Sequence, residues 1–149
     1  PTSTVFSIGT DGGVNTSGQT YIAYVWGEVP GFSAFGRYYG NNNDNGPFVY
    51  TGFKPAFLLV RQTNDTGQWR IYDTLRESYG QKDLLKYLAA ESTAAEVTPS
   101  DGNLDILSNG FKVRSSGGNH DLNGNSDPYS YMAFGQSIVG SNNVPCTAR

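Results

Sequence analysis

The sequence predicts an all-β protein, an antiparallel β-sandwich or jelly roll with at most one short helix. Three features predict it: abundant turn-forming residues, abundant aromatic residues, and short apolar runs separated by turns. The chain of 149 residues contains 19 Gly, 10 Tyr and 8 Phe. Glycine adopts the left-handed conformations of tight turns, and aromatic residues favour pleated, half-buried strands. Many short strands with turn signals between them are typical of a sandwich, and a barrel is the alternative.

A hairpin is the clearest local feature. Residues 56–62 (AFLLVRQ) and 68–73 (QWRIYD) have the composition of strands, and the turn-rich residues 63–67 (TNDTG) join them. The other strand candidates are, in chain order, residues 5–8, 21–29, 32–39, 104–107, 110–114 and 129–136. The side chains expected between the sheets are Trp26, Phe57, Leu59, Val113 and Phe134.

Residues 82–96 are the one helical candidate, because Leu84, Leu85 and Leu88 have helical spacing. Ser92 and Thr93 interrupt the pattern, so a strand or an irregular path is the alternative. We expect a single sandwich domain over residues 5–138 and an extended tail over residues 139–149.

Composition and charge disfavour several classes of partner. The net charge is −3, from 13 acidic and 10 basic residues, and the bases are scattered rather than gathered in a stripe. Binding to a phosphate backbone needs clustered positive charge, so no nucleic-acid partner is expected. No run of apolar residues approaches the length of a membrane span, so no membrane insertion is expected. The single Cys146 cannot form a disulfide within the chain.

The sequence offers little for catalysis. A nucleophile needs an adjacent base. The one histidine, His120, lies in a loop predicted over residues 115–127, and the one cysteine lies near the end of the sequence. The motifs of serine hydrolases, zinc proteases and phosphate-binding loops are missing from the sequence. We therefore predict a protein that is not an enzyme and that needs no organic cofactor.

One segment has the pattern of a metal-binding loop. Residues 121–127 read DLNGNSD, and oxygen-bearing side chains recur at every second position. The first half of a calcium loop has this alternation, but the glycine and the final glutamate of such a loop are missing. A calcium site is the metal hypothesis, and an ordinary turn is the alternative. The predicted calcium ligands are Asp121, Asn123, Asn125 and Asp127.

A second segment has the composition of a sugar-binding site. Two tyrosines precede the run NNNDNG at residues 41–46. Sugars bind against aromatic faces and hydrogen-bond to amides and carboxylates, so this mixture suits a glycan. A solvated turn behind a pair of core aromatics is the alternative. The predicted ligand-binding residues are Tyr38, Tyr39, Asn41, Asn43 and Asp44.

Two parts of the chain echo each other. Residues 21–28 (YIAYVWGE) and 129–136 (YSYMAFGQ) share a tyrosine, an aromatic residue and a glycine at matching positions. Each follows a Gly/Asn/Ser-rich loop, and each loop follows a strand candidate that begins near a phenylalanine, Phe6 or Phe111. The echo indicates two similar hairpins placed symmetrically in one sandwich. The alternative is that buried strands draw on few residue types.

Several runs of the sequence resemble a known domain. They are residues 35–62 (FGRYYGNNNDNGPFVYTGFKPAFLLVRQ), 2–29, 108–114 (SNGFKVR), 129–136 and 144–149 (VPCTAR). Together they resemble a lectin-like domain of concanavalin or jelly-roll type that recurs in tail-fibre and other virion structural proteins of tailed bacteriophages. The resemblance implies a sandwich fold, a place in the virion, and contacts with copies of itself or with other virion proteins. It carries no catalytic or ligand residues to this chain.

Two functions follow as expectations. In the first, the chain is a non-catalytic virion module on a tail or fibre that binds glycans of the host surface through its loops. In the second, it is a decoration protein that stabilises a capsid or tail and has no ligand. The aromatic and Asn-rich loop favours the first, and the predicted extended tail favours the second.

Overall fold

The fold is an all-β sandwich of two antiparallel sheets. The computed structural model describes residues 2–74, 76, 86–99, 103–115 and 120–135. The described helices are single turns, α1 (Gly12–Asn15) and α2 (His120–Asn123). The strands are β1 (Ser33–Tyr39), β2 (Phe48–Tyr50), β3 (Pro55–Gln62), β4 (Arg70–Asp73), β5 (Leu88–Ala89), β6 (Asn103–Leu107), β7 (Gly110–Arg114) and β8 (Pro128–Gly135).

The larger sheet has the strand order β1-β8-β3-β4-β5, and the smaller has the order β2-β7-β6. All pairs between these strands are antiparallel. The hairpin predicted for residues 56–73 is confirmed as β3 and β4, where Leu58 pairs with Tyr72. Strand β8 lies between β1 and β3, so the last described strand of the chain is an interior strand of the larger sheet.

Aromatic rings join the two sheets. Phe111 on β7 packs edge-on against Tyr131 on β8, with ring centroids 5.4 Å apart. It also meets Tyr38 on β1 at 5.9 Å. Edge-to-face pairs at these distances add to the stabilisation that burial alone gives. Phe111 is completely buried. The core therefore centres on this ring and on the facing strands β1 and β8.

Some of the side chains predicted for the core lie on the opposite face of their strand. Val113 is fully buried, as expected. On β3, however, Leu58 and Val60 are the buried residues, while Phe57 and Leu59 are half-buried on the other face. Because successive strand residues point to opposite faces, a shift of one residue reverses the assignment. The same shift places Ala133 in the core, and Phe134 instead packs against Phe35, Phe57 and Phe32 on the outer face.

The two strands predicted before residue 30 are wrong. The structure describes all of residues 2–32, and they contain α1 but no strand of either sheet. Their one β-bridge joins Val29 to Ser33. Trp26, expected in the core, is 53% exposed. The two echoing segments are therefore not symmetric hairpins of one sandwich, because only the second lies in a sheet.

The predicted helix over residues 82–96 is wrong for the part that the structure describes. Residues 86–96 contain β5, whose Leu88 pairs with Ile71 on β4, and Tyr87 bridges Val97. Leu88 therefore serves as an edge-strand residue. Leu84, Leu85 and the tail predicted over residues 139–149 lie outside the described residues.

Candidate functional site

Three connections meet at one end of the sandwich, and we call them the polar loop end: residues 40–46, 63–67 and 123–127. Strand pairing brings them together. Tyr39, the last residue of β1, pairs with Pro128, the first residue of β8. Gln62, the last residue of β3, pairs with the next residue, Tyr129. The loops that leave β1 and β3 and the loop that enters β8 therefore adjoin.

A buried asparagine holds the polar loop end together. Asn123, the last residue of α2, is only 2% exposed. Its Nδ2 donates to the carbonyl oxygen of Ser115 at 2.6 Å, to the carbonyl oxygen of Asn43 at 3.0 Å and to Oδ1 of Asn41 at 3.1 Å. Its Oδ1 accepts from the backbone N–H of Asn41 at 2.8 Å. Buried polar groups need such partners, and here one carboxamide fixes a loop distant in sequence.

Backbone hydrogen bonds add to this attachment. The N–H of Asn42 donates to the carbonyl oxygen of Asn123 at 3.0 Å. Gly40 donates to the carbonyl oxygen of Asp127 at 3.0 Å and accepts from Ser126 at 2.9 Å. A Cβ at Gly40 would overlap the carbonyl oxygen of Gly124, so the two loops approach as closely as a glycine allows.

The Asn-rich run folds on itself through side-chain turns. Oδ1 of Asn41 accepts from the N–H of Asn43 at 3.1 Å, and Oδ1 of Asn43 accepts from the N–H of Asn45 at 2.8 Å. Asparagine forms such local turns readily. Lys112 on β7 donates to Oδ1 of Asn45 at 2.6 Å. The loop is therefore a hydrogen-bonded structure attached to both sheets, and the side-chain oxygens of Asn41 and Asn43 are used within it.

The two tyrosines before the loop have opposite environments. Tyr38 is buried, stacks on Tyr129 with ring centroids 4.9 Å apart, and donates from its hydroxyl to the carbonyl oxygen of Leu122 at 2.9 Å. Burial raises the pKa of the Tyr38 hydroxyl well above its ordinary 10.0. Tyr39 points to the other face and is 64% exposed. The prediction that Tyr38 offers its ring to a ligand is corrected, because the ring is part of the core.

The predicted binding residues thus separate into two groups. Asn41 and Asn43 are exposed residues whose side chains hold the loop in shape. Tyr39 and Asp44 are exposed and remain the candidates for contact with a ligand. Fixed loops that carry exposed polar and aromatic side chains are a common basis for binding.

The sequence did not predict the contribution of residues 63–67. Asn64 donates from Nδ2 to Oδ1 of Asp127 at 2.9 Å and accepts at its Oδ1 from Gln62 at 2.9 Å. Its neighbour Asp65 is exposed. The turn itself was evident in the sequence, but its place beside residues 123–127 depends on the pairing of β3 with β8.

Two of the four predicted calcium ligands are engaged with different partners. Asn123 is buried against residues 41–43, and Asp127 accepts a hydrogen bond from Asn64. Asn125 is exposed, and the side chain of Asp121 lies outside the described part of the chain. Among the described residues no group of three or more His, Cys, Asp and Glu side chains comes together. Calcium would have to compete with existing hydrogen bonds, and its binding stays a prediction.

The residues considered for catalysis cannot be placed. The side chain of His120 lies outside what the structure describes, and so does Cys146.

Within the described residues neither helix is long and apolar enough to cross a membrane.

Comparison with known proteins assigns the chain to a family. The model of a family described as a domain of unknown function (DUF7483) matches residues 1–137. Because this match covers most of the chain, the protein belongs to that family. No curated protein and no solved structure matches the chain significantly.

Proposed function

We propose that this member of the DUF7483 family is a non-catalytic structural module of a tailed-phage virion that binds host-surface glycans through the polar loop end. The family match leaves the function open, so the proposal rests on the geometry and on the resemblance of residues 35–62 to virion domains. The observation that carries it is the attachment of residues 41–45 by the buried carboxamide of Asn123.

This attachment matters for binding because it lowers the entropic cost of complex formation. A loop that is already fixed loses little conformational freedom when a ligand docks, so more of the contact energy appears as affinity. The exposed ring of Tyr39 supplies an apolar face next to this loop, and Asp44 supplies a carboxylate. A sugar presents C–H surfaces and hydroxyl groups, which suit these two side chains.

The test compares two exposed tyrosines. Tyr39→Ala and Asp44→Ala are each expected to reduce binding to an array of bacterial surface polysaccharides by roughly tenfold, about 1.4 kcal/mol. Tyr50→Ala is the matched control, because Tyr50 is 67% exposed but lies on β2 of the other sheet. Equal binding by the Tyr39 and Tyr50 variants, with unchanged circular dichroism, would remove this site from consideration.

A decoration protein without a ligand is the second candidate, and exposed apolar residues before β1 favour it. Ile22 is 80% exposed and Val25 is 76% exposed. Apolar patches of this kind mark surfaces that another protein or another part of the same polypeptide covers. Decoration predicts that the chain binds particles lacking it and raises the temperature at which they break down. Adhesion predicts instead that the Tyr39 variant binds particles normally and fails only on polysaccharide.

A further inference from the structure

Residues 5–29, which we call the arm, lie outside both sheets and expose apolar side chains. In the arm Tyr24 is 74% exposed, Trp26 is 53% exposed and Phe6 is 60% exposed. Exposing this much apolar surface is unfavourable in water. The arm nevertheless has a defined local structure, including α1, and that structure indicates what covers it.

The arm repeats the local structure of the α2–β8 connection. Helix α1 ends at Asn15 and helix α2 ends at Asn123, and a tyrosine follows six positions later in both segments. In the arm the N–H of Thr16 donates to the hydroxyl of Tyr21 at 2.9 Å. In the second segment the N–H of Gly124 donates to the hydroxyl of Tyr129 at 2.7 Å. The two hydrogen bonds join residues at equivalent positions.

The turns inside the two segments also correspond. The residue three positions after each asparagine has a left-handed backbone, with φ of 78° at Gly18 and 62° at Ser126. This conformation is uncommon for residues other than glycine, and Ser126 adopts it at the position where the arm has Gly18. Equivalent backbone hydrogen bonds of 3.2 Å close both turns, Gln19 to Thr16 and Asp127 to Gly124.

The two asparagines also make similar contacts, to carbonyl oxygens six and eight positions earlier in the chain. Nδ2 of Asn15 donates to the carbonyl oxygen of Gly9 at 2.7 Å. Nδ2 of Asn123 donates to the carbonyl oxygen of Ser115 at 2.6 Å. Gly9 follows the run that begins near Phe6, and Ser115 follows β7, which contains Phe111. The likeness of sequence between the segments therefore extends to their conformation.

The segments differ in what surrounds them. Tyr129 is completely buried, because β8 lies between β1 and β3. Tyr21, at the equivalent position, is 46% exposed. Since residues 12–21 of the arm share the turns and hydrogen bonds of residues 120–129, the arm is suited to the same kind of neighbours. The β1 and β3 strands of this sandwich cannot supply them, because they already flank β8.

We infer that the arm is the closing β7–α2–β8 segment of another sandwich of the same fold, which precedes this one along the polypeptide. Residues 21–28 take the place of β8 there, between strands equivalent to β1 and β3. A second copy of this chain does not fit that role, since its own β8 fills the position. Residues 29–33, closed by the bridge between Val29 and Ser33, then connect the preceding sandwich to β1 of this one. This inference does not rest on the proposed function.

A tandem protein tests the inference. Residues 30–110 are placed ahead of residues 6–149, so that the arm follows a set of strands that stops at the first residue of β7 and lacks α2 and β8. Trp69→Phe in both copies leaves Trp26 as the one tryptophan. We expect the emission of Trp26 to shift to shorter wavelength, and its quenching by iodide to fall several-fold, relative to the unextended chain carrying Trp69→Phe. A tandem of residues 30–137 followed by 30–149 controls for folding of two adjacent units.

Substitutions on the two faces of the arm sharpen the test. The buried face of β8 carries Tyr131 and Ala133, where the arm has Ala23 and Val25. A second tandem with Ala23→Tyr and Val25→Ala matches that face and is expected to protect Trp26 at least as well. In this matched tandem, Tyr21→Asp should expose Trp26 again. Ile22→Asp should not, because the equivalent Ser130 lies on the outer face.

Two results would overturn the inference. In the first, iodide quenches Trp26 as strongly in both tandems as in the unextended chain, while the folding control unfolds cooperatively. The other is an unextended chain that light scattering shows to be a dimer and in which Trp26 is protected from iodide, since the occupant would then be a second copy.

Discussion

The Nδ2 atom of Asn123 donates a hydrogen bond to the carbonyl oxygen of Asn43, 3.0 Å away, although 80 positions separate them in the chain. The contact makes a buried side chain of one loop the support of another. It also gives Asn123, which the sequence pattern predicts as a calcium ligand, a structural role in joining two loops.

Replacement of this asparagine should destabilise the protein. Asn123→Ala removes every side-chain hydrogen bond of a residue that is 2% exposed, including the one to the carbonyl oxygen of the buried Ser115. The expected loss in the free energy of unfolding is about 2–4 kcal/mol, measured by urea denaturation. Asn125→Ala, at an exposed position two residues away, is the control and should change it by less than about 0.5 kcal/mol. Equal effects of the two would contradict the supporting role of Asn123.

The adjacent tyrosines of β1 should respond in opposite ways to truncation. Tyr38→Ala empties a core position stacked on Tyr129 and should cost about 3–5 kcal/mol in the free energy of unfolding. Tyr39→Ala, at a side chain that is 64% exposed, should cost less than about 0.5 kcal/mol. Thermal or urea unfolding of both variants measures this. A large loss at Tyr39 would mean that its ring packs on the fold and is not free for a ligand.

Close approach of two loops makes Gly40 sensitive to the smallest side chain. Gly40→Ala places a Cβ against the backbone of Gly124, which cannot move without disturbing the entry to β8. We expect a loss of about 1–3 kcal/mol in the free energy of unfolding, as for overpacked cores. Gly9→Ala is the control, because a Cβ there meets nothing within 4 Å. Similar stability of the two variants would show that the loops can separate.

Stability should fall at alkaline pH. Burial raises the pKa of Tyr38 well above its ordinary 10.0, and burial also raises that of Tyr131. Above 10.0 the unfolded chain loses these protons while the folded chain keeps them, so the unfolded state is favoured as pH rises. The free energy of unfolding should therefore be lower at about pH 11 than at about pH 8. Tyr38→Phe should make this decrease smaller, and an unchanged decrease would argue against a buried hydroxyl at Tyr38.

How far the sequence could predict this fold depends on whether the determining contacts are local. The hairpin of β3 and β4 was predictable, because its strands and turn are contiguous. The inward face of β3 was not, since Phe57, Leu58, Leu59 and Val60 are all apolar and show no alternation. Pairing with β8 decides which of them face the smaller sheet.

The candidate site was predictable in composition but not in the roles of its residues. The Asn-rich loop was found, yet two adjacent tyrosines give no sign of which one is buried. Asn123 and Asp127 alternate with other polar residues as calcium ligands do, and only long-range contacts show their use in joining loops. The apolar run at residues 21–28 indicates a buried strand, but its neighbours are not found among the described residues.

Calcium should have little effect on the stability of the protein. A ligand that binds only the folded state raises the melting temperature, by an amount that grows with its concentration relative to the dissociation constant. Oδ1 of Asn123 accepts from Asn41 and Oδ1 of Asp127 accepts from Asn64, so calcium there would compete with these hydrogen bonds. We therefore expect the same melting temperature in calcium chloride and in a chelator, by scanning calorimetry. A rise with calcium that disappears in Asp127→Asn but persists in Asp44→Asn would contradict this expectation and restore the calcium loop predicted from the sequence.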